Sequence, residues 1–285
     1  MIAFPNAKIN IGLNIVSKRK DGYHNIETVF FPIDYSDILE VMEVETEAIE
    51  PKRKSKKEPV LNPIEFNQTG IKIPGKPEEN SCFKAYRLLE NDYELPPIAM
   101  HLHKIIPTGA GLGGGSADGA FILKLLNNLF NIGLSDKELE KYAGKLGSDC
   151  PVFIQNIPVY ANGRGELLDP IKVDLADHHL VLITPPIHVS TAEAYAKVTP
   201  YEPGYSLKDV IKQPVESWKK KIKNDFELTI FKKYPAIGAI KKELYAKGAI
   251  YASMSGSGST VYGIFRKHEV WKTSFKTCKV HWVAL

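Results

Sequence analysis

Five glycines crowd into the ten residues Pro107-Thr-Gly-Ala-Gly-Leu-Gly-Gly-Gly-Ser116. A strand-like stretch precedes them and an apolar-rich helical stretch follows. Glycine lets backbone N–H groups approach an anion closely, and a helix starting just beyond adds free donors and partial positive charge. The run therefore reads as a phosphate-binding loop and demands strand, loop and helix in that order. No lysine precedes Ser116, so the G-x-x-x-x-G-K-[ST] pattern fails. Gly109-x-Gly111-x-x-Gly114 satisfies the dinucleotide pattern. That pattern needs a strand ending in an acid after the helix, and here a second helix follows instead.

The rest of the chain supplies that frame. Ile9, Ile11, Leu13 and Ile15 alternate with Lys8, Asn10, Gly12 and Asn14, which predicts a strand with one apolar face and with Lys8 and Asn10 together on the other. Asp21-Gly22 is a turn signal, and strands are expected over 27–33 and 38–44. Helical spacing covers 80–91, a strand 99–106 and an apolar helix 117–130. Ser135-x-x-Glu138 is a capping box that opens a helix through Leu146. Residues 156–165 are rich in Pro, Gly and Asn. Beyond them strands are expected at 180–184, 250–254 and 260–265, and helices at 191–198, 225–233 and 236–247, the last stopped by Gly248. The pattern predicts an α+β chain in two domains, residues 1–160 and 161–285.

Composition narrows the class. With 44% hydrophobic and 25% charged residues in 285, the chain reads as a soluble globular protein. Met1 runs straight into Asn6-Ala7-Lys8 with no charged n-region or apolar h-region, so the cytoplasm is the expected location and no membrane contact is expected. Cys82, Cys150 and Cys278 are sparse and odd in number, against a disulfide framework or a structural zinc site. The net charge of +4 resides in residues 51–58, which hold five cations and one acid, leaving the remainder neutral. No aromatic residue interleaves those cations, so the segment reads as a solvated hairpin tip and nucleic acid is not an expected partner.

Seven segments in order resemble a known family: Ala7-Lys-Ile-Asn-Ile-Gly-Leu13, Asp21-Gly-Tyr-His24, residues 109–118, Gly147-Ser-Asp-Cys-Pro151, Gly163-Arg-Gly-Glu166, Asn224-Asp-Phe-Glu227 and Met254-Ser-Gly-Ser-Gly258. The chain resembles the superfamily of galactokinase, homoserine kinase, mevalonate kinase and phosphomevalonate kinase. The Lys-x-Asn opening with Asp-Gly-Tyr-His is similar to its branch acting on cytidine-diphosphate methylerythritol, in the non-mevalonate route to isoprenoids. Cys150 and Asp118-Gly119 depart from the family pattern. The resemblance implies an N-terminal ATP domain of a kind shared with a ribosomal-protein domain and a ferredoxin-like substrate domain.

It also implies roles. Asp149 would be the catalytic base and Lys8 would stabilise the forming alkoxide. Pro107, Gly109, Ala110, Gly111, Leu112, Gly113, Gly114, Gly115 and Ser116 would bind ATP, with Asn80 and Lys104 nearby, and Ser116 would ligate Mg²⁺. Asn10, Tyr23, His24, Thr191, Tyr195, Gly256, Ser257 and Gly258 would hold the small-molecule substrate, Tyr23 and Tyr195 stacking on the base and His24 reading its edge. Two alternatives carry different expectations. A mevalonate- or homoserine-type kinase needs no Tyr23-His24 pair, and a non-catalytic nucleotide-binding protein needs no Lys8 with Asp149.

Overall fold

The computed structural model describes residues 1–44, 64–196, 198–266 and 274–285; the basic segment at 51–58 lies outside them. After a short β1 (Ile2–Ala3), strand β2 (Asn6–Lys18) carries Lys8 and Asn10 and pairs antiparallel with β3 (His24–Ser36). The expected single apolar face of β2 is corrected at Gly12. Gly12 has φ +73°, and the register to β3 shifts between Ile11, opposite Val29, and Leu13, opposite Thr28. A bulge adds one residue to one strand and reverses its alternation beyond that point. Ile9 and Ile11 therefore pack in one core with Val29. Leu13 and Ile15 emerge on the Lys8 face and pack in another core with Ile26.

Strands β4 (Ile38–Glu43), β5 (Ile64–Gly70) and β6 (Ile98–Lys104) join β1 in the order β1-β4-β6-β5, with β5 parallel to β6. The alternation Ile98, Met100, Leu102 buries one face of β6 against helices α1 (Ser81–Glu90), α2 (Gly114–Leu129) and α3 (Asp136–Leu146). Ser135 and Glu138 cap α3 reciprocally. Helix α2 begins three residues before the expected 117, inside the glycine run. Gly113, left-handed at φ +73°, serves as its N-cap, so the last two glycines and Ser116 form the first turn.

Past α4 (Val152–Gln155), strands β7 (Val159–Asn162) and β8 (Leu167–Pro170) extend the second sheet, β2-β3-β7-β8. The Pro-, Gly- and Asn-rich stretch from Asn156 is thus partly a hairpin. Residue 160 falls inside β7, and the sheet runs on to Pro170.

The C-terminal half holds β9 (His178–Thr184), α5 (Thr191–Tyr195), α6 (Leu207–Val210), α7 (Trp218–Lys221), α8 (Phe226–Lys233), α9 (Pro235–Ala246), β10 (Tyr251–Met254), β11 (Val261–Arg266) and β12 (Lys279–Ala284). Its antiparallel sheet has the order β10-β11-β9-β12, the ferredoxin-like arrangement. Helix α5 ends at Tyr195, earlier than the expected 198. The two halves share backbone bonds: Leu13 N–H donates to Lys223 O (2.8 Å) and Asp225 N–H to Leu13 O (2.9 Å). No helix among the described residues is long and apolar enough to cross a membrane.

Candidate active site

The phosphate loop gains its shape from what its carbonyls do. Ala110 O accepts from Thr260 N–H (3.2 Å), Gly111 O from the Ser255 hydroxyl (2.8 Å), Leu112 O from Lys8 N–H (2.9 Å) and Gly113 O from Ala117 N–H (2.9 Å). Four successive carbonyls are thereby turned into the protein, and Ala110 and Leu112 bury their side chains beside them. The N–H groups of Gly114, Gly115 and Ser116, in the first turn of α2, have no acceptor within the helix. Gly115 is exposed, and a Cβ there would meet nothing within 4 Å. Unpaired donors at a helix start, beside an exposed glycine, are an arrangement that can hold an anion. Gly111 must be glycine: a Cβ would lie 2.0 Å from Ser255 O. Pro107 is half-buried at the loop's entry.

Facing the loop, Lys8 is 2% exposed and its Nζ lies 3.3 Å from Asp149 Oδ2, a carboxylate on a side chain 35% exposed. Asp149 reaches this point because α3 stops at Gly147 and the chain turns toward Pro151. Lys8 Nζ also donates to Asn10 Oδ1 (2.6 Å) and sits 4.9 Å from the centre of the Phe30 ring. The Asn10 amide orientation follows from its neighbours. Thr28 hydroxyl donates to Gly12 O (2.6 Å), so it accepts from Asn10 Nδ2 (3.0 Å), and Oδ1 is left for the ammonium. The bulge carbonyl at Gly12 thus helps fix the two polar side chains before it.

A second group of side chains adjoins this pair. His24 and Tyr195 stack with ring centroids 5.0 Å apart and planes 19° apart, and Phe226 meets Tyr195 edge-on at 4.8 Å. Burial, with a contribution from the Asp149 charge, raises the Tyr195 hydroxyl to about 12, so Tyr195 lies within the field of Asp149. Burial and the nearby Lys18 charge lower the His24 imidazole below its ordinary value. His24 covers one face of the Tyr195 ring, while Tyr23, the other ring expected to stack on the base, is 59% exposed with the Arg164 guanidinium 5.2 Å from its centroid. Thr191 is exposed at the start of α5, one turn from Tyr195.

The turn Gly256-Ser257-Gly258 lies between Asn10 and the loop. A Cβ on Gly256 would stand 3.2 Å from Asn10 Oδ1 and 3.4 Å from Gly111 O. Asn224 Nδ2 pins the turn through Met254 O (2.7 Å) and Gly256 O (2.8 Å), leaving Ser257 half-exposed. Two residues expected at the nucleotide have partners within the protein. Lys104 is 1% exposed and pairs with Asp37 and Asp118 behind the loop, so its ammonium does not face the open side. Asn80 caps α1, its Oδ1 accepting from Cys82 N–H (2.8 Å). Burial, partly offset by Lys104, pushes the Asp118 carboxyl above the usual carboxylate range. Sequence reasoning missed Ser255 and Thr28, whose hydroxyls brace Gly111 and Asn10. It also missed His188, whose imidazole lies where a Cβ on Gly109 would be, 2.6 Å away.

Known proteins resemble this chain. The model of the GHMP kinases N terminal domain matches residues 80–157, and that of the GHMP kinases C terminal domain residues 206–270. A 4-diphosphocytidyl-2-C-methyl-D-erythritol kinase of Bacteroides fragilis is 52% identical over 269 residues, 94% of this chain and 93% of that protein. The kinase of the same name from Porphyromonas gingivalis is 41% identical over 281 residues, 98% of this chain and 97% of its own length. Among solved structures, a 4-(cytidine 5'-diphospho)-2C-methyl-D-erythritol kinase superposes with a TM-score of 0.75 at 28% identity, covering 92% of this chain and 89% of that one. With relatives this similar along nearly its whole length, the chain belongs to the GHMP kinases, in the family of the 4-diphosphocytidyl-2-C-methyl-D-erythritol kinases.

Proposed function

We propose that the protein transfers the γ-phosphoryl group of ATP to the 2-hydroxyl of 4-diphosphocytidyl-2-C-methyl-D-erythritol, a step toward isoprenoid precursors by the non-mevalonate route. The observation that carries this reading is the Lys8–Asp149 pair, 3.3 Å apart, opposite an anion-binding loop. The bond between the hydroxyl oxygen and Pγ forms, the Pγ–O bond to ADP breaks, and the hydroxyl proton passes to Asp149. Lys8, held by Asn10 and Asp149, stabilises the developing alkoxide. The loop N–H groups hold the phosphates, and the His24–Tyr195 stack offers the flat, polar-edged surface that a cytosine needs, with the exposed Tyr23 ring free to stack on it.

Mg²⁺ is bound in such kinases through one or two side chains, water and the phosphates. The residues present fit that mode: Ser116 offers a hydroxyl in the first turn of α2, and no group of three metal-ligating side chains stands among the described residues. When bound, the ion would neutralise phosphate charge.

The test is ATP consumption with the cytidine diphosphate substrate, mevalonate and homoserine, for wild type and Asp149→Asn. The variant keeps size and hydrogen bonding but loses the proton acceptor, so turnover should fall by about two to four orders of magnitude with ATP binding retained. Turnover within a few-fold of wild type would remove Asp149 from the role, and preference for mevalonate or homoserine would overturn the substrate.

A further inference from the structure

We propose that Asp37, Lys104 and Asp118 form a buried clamp that sets the position of the phosphate loop, so that Asp37, Lys104 and Asp118 are positioning residues for ATP rather than contacts to it. This rests on reading the glycine loop as the phosphate site. The loop spans residues 105–113, and both its ends are tied to one ammonium. At the entry, Asp37 Oδ1 accepts from Ile105 N–H (2.5 Å) and Ile106 N–H (2.8 Å), while Asp37 Oδ2 accepts from Lys104 Nζ. At the exit, Lys104 Nζ donates to Asp118 Oδ2 (2.6 Å) in the second turn of α2. Gly114, the first residue of that helix, packs on the clamp: a Cβ there would stand 3.0 Å from Lys104 Nζ. Asp37 is itself held by its N–H, which donates to Pro5 O (2.9 Å) at the mouth of β2.

The three residues are 0%, 1% and 1% exposed, so none can touch a nucleotide in the open cleft. Two carboxylates around one lysine in a dry interior is a costly arrangement for stability alone, since buried charges gain little over well-packed apolar groups. What it supplies is geometry. The donors of Gly114, Gly115 and Ser116 are aimed by the direction of α2, and that direction is fixed to the end of β6 through Lys104. A loop rich in glycine has little stiffness of its own, so the stiffness has to come from outside it. A displacement of about 1 Å at such a site can cost about a hundredfold.

The experiment is steady-state kinetics of Asp118→Asn and Asp37→Asn with ATP and the alcohol varied separately, beside calorimetric binding of a non-hydrolysable ATP analogue. Each variant keeps side-chain size and leaves Lys104 one carboxylate. A clamp predicts KM for ATP, and the analogue Kd, raised about tenfold or more, with KM for the alcohol changed less than about threefold. Lowered thermal stability with all kinetic constants of the folded fraction unchanged would overturn it and leave the triad structural. Gly115→Ala serves as the reference. If it weakens ATP binding while both clamp variants do not, the clamp fails and the loop reading stands; if it leaves ATP binding unaltered, the loop reading fails and the clamp with it. Should the variants not fold, hydrogen exchange on the wild-type chain without nucleotide decides. The clamp predicts Ile105 and Ile106 amides as protected as those of β6, and exchange at free-loop rates would overturn it.

Discussion

Glycines in one loop do not carry one role. At Gly111 a side chain would collide with Ser255 O at 2.0 Å, and at Gly113 it would meet Lys8 Cε and Phe153 at 3.0 Å from a backbone of φ +73°. Substitution at either would disturb the fold and the placement of Lys8 together. Gly115 is different, being helical and open. Gly115→Ala should therefore hold or raise stability, by up to about 0.5–1 kcal/mol from helix preference, while its methyl stands among the phosphate donors and weakens ATP binding. Equal ATP affinity by calorimetry would take the first turn of α2 out of the site. His24 offers a pH handle at the same scale. Its folded pKa lies below the unfolded value because burial and Lys18 disfavour the cation, so the unfolded chain binds the proton more tightly and stability falls as pH drops through that window. Both causes favour the neutral form of the imidazole stacked on Tyr195. The KM for the cytidine substrate should rise toward acid pH, where the imidazole gains its proton, and the KM for ATP should not follow. A pH-independent substrate KM would separate His24 from base recognition.

At the scale of elements, the parts legible in the sequence were those set by neighbours in the chain. The Ser135–Glu138 box closes as spaced, the strand expected at 99–106 forms as β6 over Ile98–Lys104, and α8 and α9 lie within a residue of their patterns. Long-range demands were not legible. The reversal of β2 at Gly12 depends on pairing with Thr28, and an alternating Ile-x-Ile-x-Leu-x-Ile reads through it without a break. Asp37 in Tyr-Ser-Asp-Ile looks like a turn residue; its link to Lys104 spans 67 positions. Tyr195 was legible as an aromatic, but which ring would cover it was not. The bulge makes its own prediction. A Cβ at Gly12 would lie 2.8 Å from Ile222 Cγ2 and 2.9 Å from Leu207 Cδ1, ends of side chains that can shift, so the main cost of Gly12→Ala is the positive φ. About 1–3 kcal/mol should be lost in urea denaturation, and because Gly12 O orients Thr28 and so Asn10, kcat should fall as well. A neutral Gly12→Ala would mean that the bulge does not set the Lys8 face.

For the whole molecule, the question is whether the two halves move as separate bodies around the ligands or form one cooperative unit. Their junction is not a polar rim. One core contains Ile9, Ile11 and Leu112 from the first half and Leu182, Tyr251 and Tyr262 from the second. Tyr262 Oη donates to Asn10 O (2.9 Å), Ile15 N–H to Asp225 Oδ2 (2.7 Å) and Thr260 N–H to Ala110 O (3.2 Å), so β2 and the phosphate loop are each bonded to the C-terminal half. Opening this junction would expose the shared core and unpair these groups at once, which favours all-or-none unfolding. The prediction is a single transition in urea, coincident for tryptophan fluorescence, where Trp218 is buried in the second half, and for exchange of the β6 amides in the first. Because the phosphate loop is part of the junction, an ATP analogue at about a hundred times its Kd should shift both signals together by about 2.7 kcal/mol. Two separated transitions, or a ligand shift confined to the first half, would show that the halves fold independently and that the shared core contributes little to their coupling.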